Sequence, residues 1–183
     1  MAVNLRPLDA LARAVPWSLL VAALLLASVP SGVIAAAADE LQAAARDHQG
    51  GGFASALAHW EQARRDAQAS GDGQAQARAE LGAARTYLAL GRSRIATERL
   101  QNAHQLATAL DDRNLLGPIS AALGNALLLA GDTAKARAAL EQAIAWGRAG
   151  NDTELVAQSA NDLARLEVDA GNTARAADLY RQS

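Results

Sequence analysis

The chain has 183 residues, of which 51% are hydrophobic and 20% charged, with a formal net charge of −2. That is apolar enough to bury a core in one domain or one short repeat array. A near-neutral charge with a single lysine, Lys135, excludes the basic footprint of a nucleic-acid binder, and the absence of cysteine excludes disulfides, thiolate zinc sites and a lipidated N-terminal cysteine.

The first forty residues read as an address. Arg6 and Arg13 precede a run from Trp17 to Val29 without a charge; Pro30, Ser31 and Gly32 follow, then Ala35 to Ala38. A basic start, a short apolar stretch and a small-residue site define a secretory signal peptide over residues 1–38, with cleavage after Ala37. The other reading is an uncleaved anchor. Residues 14–38 carry no charge, and a bilayer needs roughly 20 apolar residues. Cleavage gives a periplasmic or secreted protein; retention gives one held in the inner membrane and facing the periplasm. No twin arginine occurs in this segment, which points to the general export route.

From Asp39 onward the chain repeats itself. Gly51, Gly91, Gly131 and Gly171 are forty residues apart, each followed five residues later by Ala56, Ala96, Ala136 or Ala176. Nine residues after each glycine stands a large side chain, Trp60, Leu100, Leu140 or Tyr180. Apolar residues at steps of three and four, as in Ala56, Trp60, Ala63 and Ala67, predict an amphipathic helix after each glycine. Ala83, Ala84, Tyr87 and Leu88 predict a helix before it, the earliest such helix running from Asp39 to Gln49. The glycine supplies a left-handed turn between them. Asp132, Asn172 and Ser93 are the expected N-caps of the helices that follow the glycines. Polar turns at Ser70–Gly73, Asp111-Asp112 and Gly150–Asp152 close the units. No hairpin can bury its stripe alone, so the copies must stack.

This pattern resembles the tetratricopeptide repeat. Leu123-Gly124, Gly131, Ala136, Leu140 and Ala143 match the family positions, as do Ala84, Tyr87, Gly91, Ala96, Leu100 and Ala103. The unit is forty residues rather than the usual 34 or so, and Asp47 and Glu167 stand where an aromatic is usual. The resemblance covers residues 39–183 and implies an all-α, right-handed superhelical solenoid of antiparallel helix pairs behind the N-terminal signal or anchor helix. The last copy stops halfway through its second helix at Ser183 without a polar capping face. That suggests the front part of a longer protein, or self-association through the open hairpin. Exported bacterial proteins of similar layout continue into a caspase-like peptidase domain of the CHAT type.

The residues offer no catalytic or metal constellation. His48, His59 and His104 lack metal-ligand spacing and read as exposed helix residues, and no Gly-x-Ser-x-Gly elbow occurs. Gly50-Gly51-Gly52 lacks the lysine of a phosphate loop and falls on the repeat turn, and Asn151-Asp152-Thr153, formally a glycosylation sequon, falls on a helix-capping turn. No cofactor is expected. The resemblance instead implies ligand binding in a groove lined by the first helix of each unit. One exposed position of that helix reads Arg85, Asn125 and Arg165, with Ala45 in the first copy; Arg78 and Asn161 lie on the same faces. Guanidinium forks and carboxamides grip carboxylates and peptide backbone. The expectation is an exported, non-enzymatic scaffold that binds a protein or peptide through Arg78, Arg85, Asn125, Asn161 and Arg165, with no nucleic acid. The alternative is the recognition arm of a longer exported enzyme.

Overall fold

Alanine and leucine are the commonest residues after Ser31, with arginine frequent, and these residues lose little on entering a helix. The computed structural model describes residues 31–181; the expected signal features at Arg6, Arg13 and 17–29 lie outside them, as do the last two residues. The described residues form eight α-helices and no strand: α1 (Ser31–Gln49), α2 (Phe53–Ser70), α3 (Gly73–Ala89), α4 (Ser93–Ala109), α5 (Arg113–Leu129), α6 (Thr133–Gly150), α7 (Thr153–Asp169) and α8 (Thr173–Tyr180). Helix α1 begins at Ser31 rather than at the expected Asp39. Nothing between those residues breaks a helix, and Ala37 gains burial against Ala67 and Ala75.

Two kinds of turn alternate. Gly51, Gly91, Gly131 and Gly171 adopt φ between +69° and +81°, the left-handed conformation expected of them. The loops between units reach the same conformation at Gly71, Asp111 and Asn151, again forty residues apart. The residue after each, Asp72, Asp112 or Asp152, caps the next helix by accepting a backbone N–H bond of 2.9–3.3 Å. Each such cap contributes about 1 kcal/mol. The caps expected after the glycines are partly corrected. Asp132 accepts from the Lys135 amide at 3.2 Å as expected. Ser93 is the first residue of α4 and Arg92 occupies the cap position. Asn172 makes no side-chain cap bond and donates to Glu167 instead, at 2.7 Å.

Every helix packs on its neighbours in sequence, and α1, α3, α5 and α7 also touch one another in succession, whereas α2, α4, α6 and α8 do not. Helices that converge lie on the inside of a curve, so the inner face belongs to the first helix of each unit. The stripe Ala96, Leu100, Ala103 and Ala107 is fully buried, and its counterparts in α2 and α6 are buried likewise. A buried leucine stabilises by about 1.5–3 kcal/mol and a methyl by about 0.8 kcal/mol, so the single large residue dominates each stripe. Trp60, Leu100 and Leu140 are at most 8% exposed, while Tyr180 at the same position is 44% exposed and Leu179 packs in its place. The small residue opposite is needed for space. A β-carbon at Gly124 would lie 2.6 Å from Leu140 Cγ.

Candidate binding cavities on the inner face

The side chains on the inner face do not form one continuous ladder; they fall into two cavities. The first, of about 510 Å³, lies between α1 and α3. Its α1 wall carries Leu41, Gln42, Ala45, His48 and Gln49, and its α3 wall carries Arg78, Leu81, Gly82 and Arg85. Trp60 of α2 forms its floor. The helical period puts these residues on one face each, since 41, 45 and 48, like 78, 81, 82 and 85, step by three and four. Among the described residues, no acidic side chain lines the cavity. Among the described residues neither Arg78 nor Arg85 has an ion-pair partner. Arg85 keeps a water-accessible edge, yet desolvation between the helices lowers its guanidinium pKa from the ordinary value. It stays charged all the same, as arginine does throughout the physiological range.

A buried hydroxyl fixes the floor. Thr86 is 0% exposed. Its Oγ1 donates to the Gly82 carbonyl at 3.0 Å and accepts from Trp60 Nε1 at 3.1 Å. His48 Nδ1 lies 3.0 Å from the same oxygen. The hydroxyl hydrogen is committed to Gly82 and the indole only donates, so His48 Nδ1 is assigned as the third hydrogen bond's donor. That tautomer leaves Nε2 as the acceptor of the ring. His48 and Phe53 also meet as tilted rings with centroids 5.6 Å apart. The histidine is thus half-buried and bonded rather than simply exposed. Gly82 has no room for more: a β-carbon there would stand 2.5 Å from Trp60 Cζ2.

The second cavity, of about 370 Å³, lies between α5 and α7 and brings Asn125 and Arg165 together with Leu128, Leu129 and Leu166. Its electrostatics differ. Asp162 and Asp169 also line it, and Arg165 Nη1 lies 4.0 Å from Asp162 Oδ1. Asn161 is exposed and lines neither cavity. The five expected positions therefore divide into an uncompensated pair, Arg78 and Arg85, a compensated pair, Asn125 and Arg165, and an isolated Asn161.

Other polar and charged side chains hold helices together. His59 Nδ1 meets Glu40 Oε2 at 2.6 Å, and one repeat later Arg99 Nη1 meets the nearly buried Glu80 at 3.2 Å. Asp47 and Glu167, the two departures from the aromatic position, reach equivalent partners eight residues on, Ser55 and Arg175. Glu167 is covered completely by Arg137 at 2.8 Å, Asn172 at 2.7 Å and Arg175 at 3.4 Å. Burial raises its carboxyl pKa, but Asn172, Arg137 and Arg175 together outweigh it, so the pKa falls below the ordinary value. The hydrogen-bonding role of Thr86 and the lining by Gln42 and Gln49 were not apparent from the sequence. Seven-residue spacing on the α1 face, as in Gln42 and Gln49, was the available signal.

A comparison with protein-family models finds none that matches this chain, and a comparison with curated proteins finds no match.

Proposed function

We propose that this chain is an exported scaffold of the tetratricopeptide type, a right-handed solenoid that binds a protein or peptide partner on its inner face and performs no catalysis itself. One observation carries the reading. The first helices of successive units touch one another and the second helices do not, and cavities open between α1 and α3 and between α5 and α7. The apolar walls with a few convergent polar groups suit recognition of an extended chain. Arginine forks and amides supply the polar grip. Among the described residues no helix is long and apolar enough to cross a membrane. Export rests on the residue pattern of 1–38 alone.

Two experiments test this reading. Arg85→Ala combined with Arg165→Ala is expected to weaken partner binding while leaving helical content unchanged, because both side chains are exposed. Unchanged affinity contradicts binding through these positions. The intact mass of the chain recovered from periplasmic and membrane fractions tests export. A soluble species beginning near Ala38 supports cleavage, and a full-length membrane-held species makes residues 14–38 an anchor.

A further inference from the structure

Among the described residues, the α1–α3 cavity carries two arginines without an ion-pair partner, whereas Arg165 in the α5–α7 cavity lies beside Asp162. Arg78 and Arg85 stand seven residues apart on α3, which at 1.5 Å per residue separates their α-carbons by about 10.5 Å. Gln42 and Gln49 stand seven apart on α1 and line the same space. Helices α1 and α3 run parallel, since each is antiparallel to the intervening α2 in two successive hairpins. The cavity thus carries two guanidinium groups on one wall and two carboxamides on the other, at the same seven-residue step. Between the arginines lie Leu81 and Gly82, with the Trp60 ring beneath.

We infer that this cavity seats an extended acidic peptide whose two carboxylates, three residues apart, engage Arg78 and Arg85. The inference rests on reading the inner face as a peptide-binding surface. A polyproline-type segment advances about 3.1 Å per residue and returns to the same side every three residues, so such carboxylates are separated by about 9.3 Å. Flexible arginine side chains take up the remaining distance. Carboxylates one residue apart fall short, and carboxylates six apart overshoot at about 18.6 Å. An apolar residue between the acids rests on Leu81 and Trp60. The carboxamides of Gln42 and Gln49 can serve the backbone, which offers both donors and acceptors. Charge complementarity decides the class of ligand: Arg78 and Arg85 are exposed and have no ion-pair partner among the described residues, so a carboxylate-bearing chain supplies one and a cationic or neutral chain does not.

The test uses the full chain and fluorescein-labelled octapeptides with two glutamates spaced one, three or six residues apart around leucine and proline, read by anisotropy. The glutamate pair three apart is expected to bind best, and its replacement by glutamine to weaken binding about tenfold or more. Arg78→Gln and Arg85→Gln should each cost a similar factor, Arg85→Lys should recover part of it by restoring charge without the fork, and added salt should weaken binding. Circular dichroism checks that the variants remain helical. Binding that ignores carboxylate spacing, or that survives the double variant R78Q/R85Q, overturns the inference. If peptides bind through Asn125 and Arg165 instead, the acidic pair is wrong and the inner-face reading stands. Failure of all peptides, with partner crosslinks on the outer helices, removes both.

Discussion

The indole of Trp60 donates to Thr86 Oγ1 across 3.1 Å, joining the large residue of one helical stripe to a hydroxyl buried in the next helix. That bond fixes the floor of the α1–α3 cavity, because the same oxygen also engages His48 and the Gly82 carbonyl. Replacing threonine by isosteric valine keeps the shape and removes three hydrogen bonds at once. Leaving the buried indole N–H unpaired costs about 1–3 kcal/mol. Thr86→Val should therefore lower the urea midpoint followed by circular dichroism, and Thr86→Ser should restore most of it. Equal midpoints for valine and wild type contradict this role.

Gly82→Ala sets two effects against each other. Alanine is favoured over glycine in a helix interior by about 0.8–1.0 kcal/mol. The added β-carbon meets Trp60 Cζ2 at 2.5 Å, however, and the ring is 8% exposed and hydrogen-bonded. Overpacking of that kind costs about 1–3 kcal/mol, so the clash wins or at least cancels the propensity gain. The expected result is a lower or unchanged midpoint together with a changed Trp60 environment in near-ultraviolet circular dichroism. A clearly stabilised variant with unaltered spectra contradicts the close contact.

The helix pattern was legible because it recurs. One glycine per forty residues fixes the hairpin turn, and Ala96-Leu100-Ala103 shows which face is buried. The glycine positions and the first three buried stripes were read correctly from spacing alone; in the fourth, Tyr180 is exposed and Leu179 packs instead. The start of α1 was not legible, since alanine favours a helix equally on both sides of Asp39. Asn172 occupies its expected cap position but its amide donates to Glu167 and it makes no side-chain cap bond, and Ser93 falls one residue inside the helix that Arg92 precedes. The inner-face positions were legible as a face. The i,i+3 spacing of Asp162 and Arg165 on α7 was legible as well, whereas the cavity that packing of α5 on α7 forms around Asn125 and Arg165 was not.

Glu167, on α7, ties in α6 through Arg137, the turn before α8 through Asn172 and α8 itself through Arg175. Its folded-state pKa is lowered, so its contribution to stability is fully present above the ordinary glutamate value of 4.5 and is lost as pH falls through the lower folded value. Glu167→Gln should cost about 1 kcal/mol near pH 7, and the gap to wild type should close below the ordinary value. Urea midpoints from pH 7 to pH 3 measure this directly. A gap that stays constant over that range contradicts the ionic role of Glu167.

The central claim is that partners are held on the inner face, and site-specific photocrosslinking tests it most directly. A photoreactive residue is placed at Ala45 or Asn125, which line the two inner cavities, and at Ala58 or Ala138, exposed on the second helices α2 and α6. Partner adducts are predicted from Ala45 and Asn125, and none from Ala58 and Ala138. Adducts confined to the second helices would contradict the account and move the binding surface to the outside of the array.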